Sequence, residues 1–129
     1  MIRFALPLLL VATAATGAAT EQRGASYEQA KLQRALSGLH PGAAKRCVRR
    51  DRVTEVRGFR DEILFVGGRG KLWRNRTTGS CGGLARGDII VTHSFGSDYC
   101  AGDVVKTRSP NGGMVTGSCA LGDFVPYTR

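Results

Sequence analysis

The sequence predicts a mainly β fold: a small antiparallel sandwich or barrel of about six strands with one N-terminal helix, stapled by two disulfides. Three observations carry this reading. From Cys47 onward the chain breaks into short runs rich in valine, isoleucine and aromatics, separated by glycine clusters. Only the stretch SYEQAKLQRALSGLHPG has helical apolar spacing. Four cysteines, Cys47, Cys81, Cys100 and Cys119, sit in a chain of 129 residues, an even number suited to pairing.

The chain opens with MIRFALPLLLVATAATGAAT, in which Arg3 precedes an apolar run over residues 4–12 and then small residues. This is the layout of a secretory signal peptide over residues 1–19, cut after Ala18 or Ala19, or earlier after Ala14. The apolar run falls short of the roughly 20 residues that cross a bilayer. We therefore expect a periplasmic or secreted protein with no transmembrane segment in the mature chain. Residues 20–44 form an N-terminal segment holding the helix, and 45–129 the disulfide-stapled β domain. A mature chain of about 110 residues buries only some 60–70% of its unfolded surface, so covalent staples matter.

In the helical stretch, Ser26 with Gln29 makes a capping box. Gly38 supplies the left-handed stop, Leu39 the apolar contact behind it, and Pro41 forbids continuation. Leu32, Ala35, Leu36 and Leu39 form a narrow stripe, so the helix docks on something. Strands are expected at 53–57, 62–66, 71–76, 88–95, 103–108 and 114–118. The sequences GGRG at 67–70 and SPNGG at 109–113 are turns, the second with an Asn-Gly pair suited to positive φ at both central positions.

The cysteines lie 34, 19 and 19 positions apart, without the close pair typical of zinc sites. In an exported chain they read as disulfides, and no metal or other cofactor is indicated. Sequence alone permits three pairings; the one expected is Cys81 with Cys100 and Cys47 with Cys119.

The formal charge is +9, and residues 45–76 hold eleven cations against four carboxylates, a local +7. One reading is a basic face, Arg49, Arg50, Arg52, Arg57, Arg60, Arg69, Lys71, Arg74 and Arg76, for an anionic polymer such as lipopolysaccharide or nucleic acid. Phe59 and Trp73 would then offer stacking surfaces. The competing reading is a solvated face, with the alternation over 71–76 placing Trp73 in the core. Inhibition of lysozyme is disfavoured, since that enzyme is usually basic as well.

Catalytic constellations are scarce. His93 shares a strand face with Ile89, Val91 and Phe95 and reads as a packed or rim residue; His40 sits in the loop after the helix. A ribonuclease using His93, with Asp98 or Arg74, is the alternative function. Neither Ser94 nor Ser97 lies in a nucleophile elbow. The GGRGKL stretch lacks the spacing of a phosphate loop and reads as a turn, and Arg86-Gly87-Asp88 is too short a match to constrain adhesion. Asn75-Arg76-Thr77 fits the glycosylation acceptor pattern.

The motifs ILFVGGRGKLWRN, CGGLARGD, DYCAGDVV and SCALGDFVP, together with Cys47, resemble those of a family of small exported Gram-negative bacterial proteins classed as a domain of unknown function. The likeness spans residues 45–126. Gly82 departs from it, standing where that family usually has proline. The resemblance implies export and a four-cysteine framework and carries no activity. The leading expectation is an exported binding module; a structural envelope protein with the basic face as solubilising surface is the third.

Overall fold

The computed structural model describes residues 17–129, with side chains from Thr20 onward. The apolar run at 4–12 and the earlier cleavage position Ala14 lie outside the described residues. In chain order the elements are α1 (Gly17–Leu36), β1 (His40–Pro41), β2 (Cys47–Arg49), a 3-10 turn (Arg50–Arg52), β3 (Val53–Gly58), β4 (Glu62–Gly67), β5 (Leu72–Arg76), β6 (Thr78–Ser80), β7 (Ile89–His93), β8 (Asp98–Cys100), β9 (Val104–Arg108), β10 (Val115–Ala120) and β11 (Phe124–Thr128). No described helix is long and apolar enough to cross a membrane.

Among the described residues all strand pairings are antiparallel, and the strands form three sheets, ordered β1-β11-β5-β4-β3, β6-β10-β9-β7 and β2-β8. No sheet closes into a barrel; of the two architectures expected, the chain adopts the layered, open one. Alternation along β4 decides the layers. Ile63 and Phe65 point between the sheets, where they meet Val48, Trp73, Leu84, Val105, Leu121, Phe124 and the Cys81 and Cys119 sulfurs. Leu64 points the other way and packs with Leu72, Phe59, Leu32 and Leu36. Helix α1 thus covers the second face of the five-stranded sheet, which is why β4 is apolar on both sides. Each large side chain fully buried in these clusters contributes about 1.5–3 kcal/mol.

All six expected strands form. The five others escape a periodicity reading for identifiable reasons. Four of them are two or three residues long. The fifth, β11, contains Pro126, which normally argues against a strand. Here Gly42 donates to the Pro126 carbonyl and Phe124 donates to Lys45, so residues 124 and 126 bond outward toward 40–45. The missing proline donor therefore faces away from β5, and the ladder between them is kept.

Three local expectations are corrected. Helix α1 begins upstream of Ser26, and the Ser26 hydroxyl donates to the Arg23 carbonyl inside the helix instead of capping it. At 109–113 the positive φ angles fall on Gly112 and Gly113, one residue later than the Asn-Gly pair suggests, because Ser109 Oγ accepts from the Asn111 amide and sets a longer loop. The disulfides are Cys47–Cys100 and Cys81–Cys119. Strand neighbours choose them: β2 lies against β8 with Cys47 directly opposite Cys100. Likewise β6 lies against β10, carrying Cys81 to Cys119. The helix stop is as expected, with Gly38 at φ 74° and Leu39 donating to the Leu36 carbonyl.

Candidate functional site

Secondary structure splits the basic segment into paired and unpaired cations. Strand β4 sets Glu62 directly opposite Arg76, with Arg74 two residues along the same face. Glu62 accepts from Arg74 through two bonds, Nε to Oε2 at 2.5 Å and Nη2 to Oε1 at 2.6 Å, and lies 3.5 Å from Arg76 Nη2. Arg74 also donates to the Tyr127 hydroxyl at 3.4 Å. The Glu62 hydrogen bonds hold the Arg74 guanidinium above its ordinary pKa against the opposing effect of burial, with Tyr127 adding to them. Arg57 is held by Glu55 and Arg49 by Asp51, both exposed pairs of small energetic weight. Arg50 lies over the Tyr99 ring at 4.8 Å.

The cations left without an ion pair among the described residues include Arg52, Arg60, Arg69 and Lys71. Three of them meet. The 3-10 turn delivers Arg52, and the β4–β5 hairpin delivers Arg69 and Lys71 at the same end of the sheet. With Asp51, Thr54, Gly68 and Trp73 they line an open groove of about 510 Å³. The hairpin is tight because Arg69 and Gly70 both take positive φ, 61° and 71°, and it presents Arg69 at its tip. Lys71 Nζ stands 5.2 Å from the centroid of Trp73, whose ring is otherwise buried in the core. Arg60 lies at the opposite end of β3, a strand of six residues and hence about 20 Å long. There it lines a cavity of about 710 Å³ between α1 and residues 80–85, together with Glu21, Glu28 and Asp61.

The nine cations expected to form the basic face therefore do not share one face. Asp51 and Thr54 were not singled out by sequence; their position beside Arg52 was the only available signal. Phe59 is buried under α1, so its ring is not an exposed stacking surface.

The remaining sequence motifs resolve differently. His93 is exposed at the end of β7, on a face that looks outward; it is Ile90, between Ile89 and Val91, that packs inward. No hydrogen bond joins His93 to Asp98 or Arg74, and Arg74 belongs to another sheet. Asn75 is fully buried, so it is not placed to accept a glycan. In Arg86-Gly87-Asp88 the aspartate turns inward, where Asp88 Oδ2 accepts from Thr116 at 2.6 Å and from Arg86 at 3.1 Å. Among the described residues no cluster of His, Cys, Asp and Glu is arranged to hold a metal.

No protein-family model, curated protein or solved structure matches the chain. The two disulfides point to an oxidising environment outside the cytoplasm.

Proposed function

We propose that this protein is a non-enzymatic module of the periplasm or the secreted fraction that binds a phosphate- or sulfate-bearing polymer at the groove of Arg52, Arg69 and Lys71. The observation that carries the reading is the convergence of three cations, none in an ion pair, on one open groove. Arginine forks suit such oxyanions, and clustered charge gains more than the same charges dispersed. The arginines at 49, 57, 74 and 76 already have carboxylate partners and contribute field more than contact. The two disulfides support the address and are silent on the ligand.

Salt-dependent retention on immobilised heparin tests it. Wild type is expected to bind at low salt and elute as salt rises, and the triple variant R52S/R69S/K71S to elute much earlier, with Arg57→Ser close to wild type. On duplex DNA each phosphate contact contributes about 0.9 to the slope of log affinity against log salt, so the triple variant should lose about 2–3. Absence of retention, or equal losses from Arg57→Ser and the groove variant, would overturn the assignment.

A further inference from the structure

The large apolar side chains that stand exposed among the described residues are Tyr27, Ile89, Phe95, Val104, Met114 and Val115. All but Tyr27 belong to the four-stranded sheet or flank it. In β7, Ile89, Val91 and His93 share the outward face; in β9, Val104, Lys106 and Arg108 do. Register joins them into rows, with Ile89 opposite Arg108 and Arg108 opposite Val115, Val91 opposite Lys106, and His93 opposite Val104. The inward face of the same strands carries Ile90, Val105, Thr107 and Cys119 into the core. Phe95, fully exposed, follows β7 at one end of the face, and Met114, 73% exposed, precedes β10 at the other.

The charge on this sheet has one sign. Strands β6, β7, β9 and β10 contain no carboxylate, and Lys106 and Arg108 are their only lysine and arginine. Both are half-buried; Arg108 Nη1 donates to the Gly113 carbonyl at 3.1 Å, which fixes the guanidinium beside the hairpin and leaves its other donors for an anion. Five large apolar side chains exposed on or beside one sheet face mark a contact surface. We infer that the outward face of the β6-β10-β9-β7 sheet docks on an anionic lipid bilayer, with Phe95 and Met114 entering the headgroup boundary and Lys106 and Arg108 meeting lipid phosphates. Apolar anchors around a cation pair match the two attractions that hold proteins at such surfaces, apolar burial and attraction to anionic headgroups. A second copy of the chain fits less well, since a twofold contact would bring Lys106 and Arg108 toward their own images. This surface is separate from the Arg52 groove and does not depend on it.

Co-sedimentation of the disulfide-intact protein with vesicles tests the inference. Binding is expected to vesicles of phosphatidylcholine mixed with phosphatidylglycerol, to be much weaker on phosphatidylcholine alone, and to persist in the presence of free inorganic phosphate. The variants F95S/M114S and K106S/R108S should each bind about tenfold more weakly, the first with melting temperature unchanged because Phe95 and Met114 are exposed, the second read well below its own melting temperature because Arg108 also bonds Gly113. R52S/R69S/K71S should bind as wild type does. No partition onto the mixed vesicles, undiminished binding by both face variants, or loss confined to the groove variant overturns the assignment. So does a stable dimer that F95S/M114S converts to monomer, which would give the face to a second copy.

Discussion

Asn75 and Gly122 hold each other as a pair of strand residues would, although they lie 47 positions apart. Asn75 Nδ2 donates to the Gly122 carbonyl at 2.7 Å, and Asn75 Oδ1 accepts from the Gly122 amide at 3.0 Å. A Cβ at position 122 would collide with the Arg76 carbonyl oxygen, so only glycine lets the loop before β11 approach β5 this closely. The side chain thus satisfies two backbone groups that the sheet ladder does not reach.

Asn75→Ala should destabilise the fold by about 1–3 kcal/mol, because it leaves both half-buried Gly122 groups without their partner. Asn75→Asp should cost a comparable amount, since a carboxylate cannot donate to the carbonyl. Urea denaturation of the oxidised protein measures both; a change below about 0.5 kcal/mol, the range of an ordinary surface substitution, would contradict the role given to this pair.

The two disulfides close segments of 53 and 38 residues, so chain entropy assigns each about 4 kcal/mol. C81A/C119A should nevertheless lower the melting temperature more than C47A/C100A. Cys81 and Cys119 are buried in the core between the sheets, whereas Cys47 is exposed. Peptide mapping without reductant should recover the linkages 47–100 and 81–119; any other pairing would contradict the strand neighbours described above.

The Thr116 hydroxyl, and after it Arg86, hold the Asp88 carboxyl below its ordinary pKa, burial working against them. A carboxyl depressed in the folded state stabilises fully above its unfolded value, near 3.9, and loses that contribution as pH falls through the folded value. Thr116→Val should therefore lower the melting temperature more at pH 6 than at pH 3. Equal offsets at the two pH values would show that Asp88 is not coupled to Thr116.

Glu62 is the shared partner of Arg74 and Arg76 and is only 9% exposed. Glu62→Gln should cost about 1–3 kcal/mol, less than for a fully buried pair because Arg74 keeps some contact with water. Much of that cost should survive 1 M salt in denaturant titrations, since burial limits screening. Arg57→Ser, which breaks an exposed pair, should cost under about 1 kcal/mol.

How much of this was legible along the chain depended on range. The runs at 53–57, 62–66 and 71–76 became β3, β4 and β5 within a residue at each end, because side-chain alternation and a glycine turn are local signals. The same alternation placed Trp73 in the core. It left Phe59 ambiguous, since nothing near residue 59 announces that α1 will cover it. Ser26 misled for a related reason: a capping box is a local pattern, and here the helix simply continued upstream through it.

By itself the sequence determined that the chain would be β-rich behind one helix, broken at its glycines and joined through four cysteines, because each property follows from neighbours a few positions apart. Only the tertiary structure decided that Cys47 meets Cys100, that Glu62 occupies Arg74 and Arg76, and that Arg52, Arg69 and Lys71 share a groove. Those outcomes turn on which strands lie side by side. Strand neighbours are chosen by burying both faces of β4 at once, a condition on the whole molecule that no short window contains.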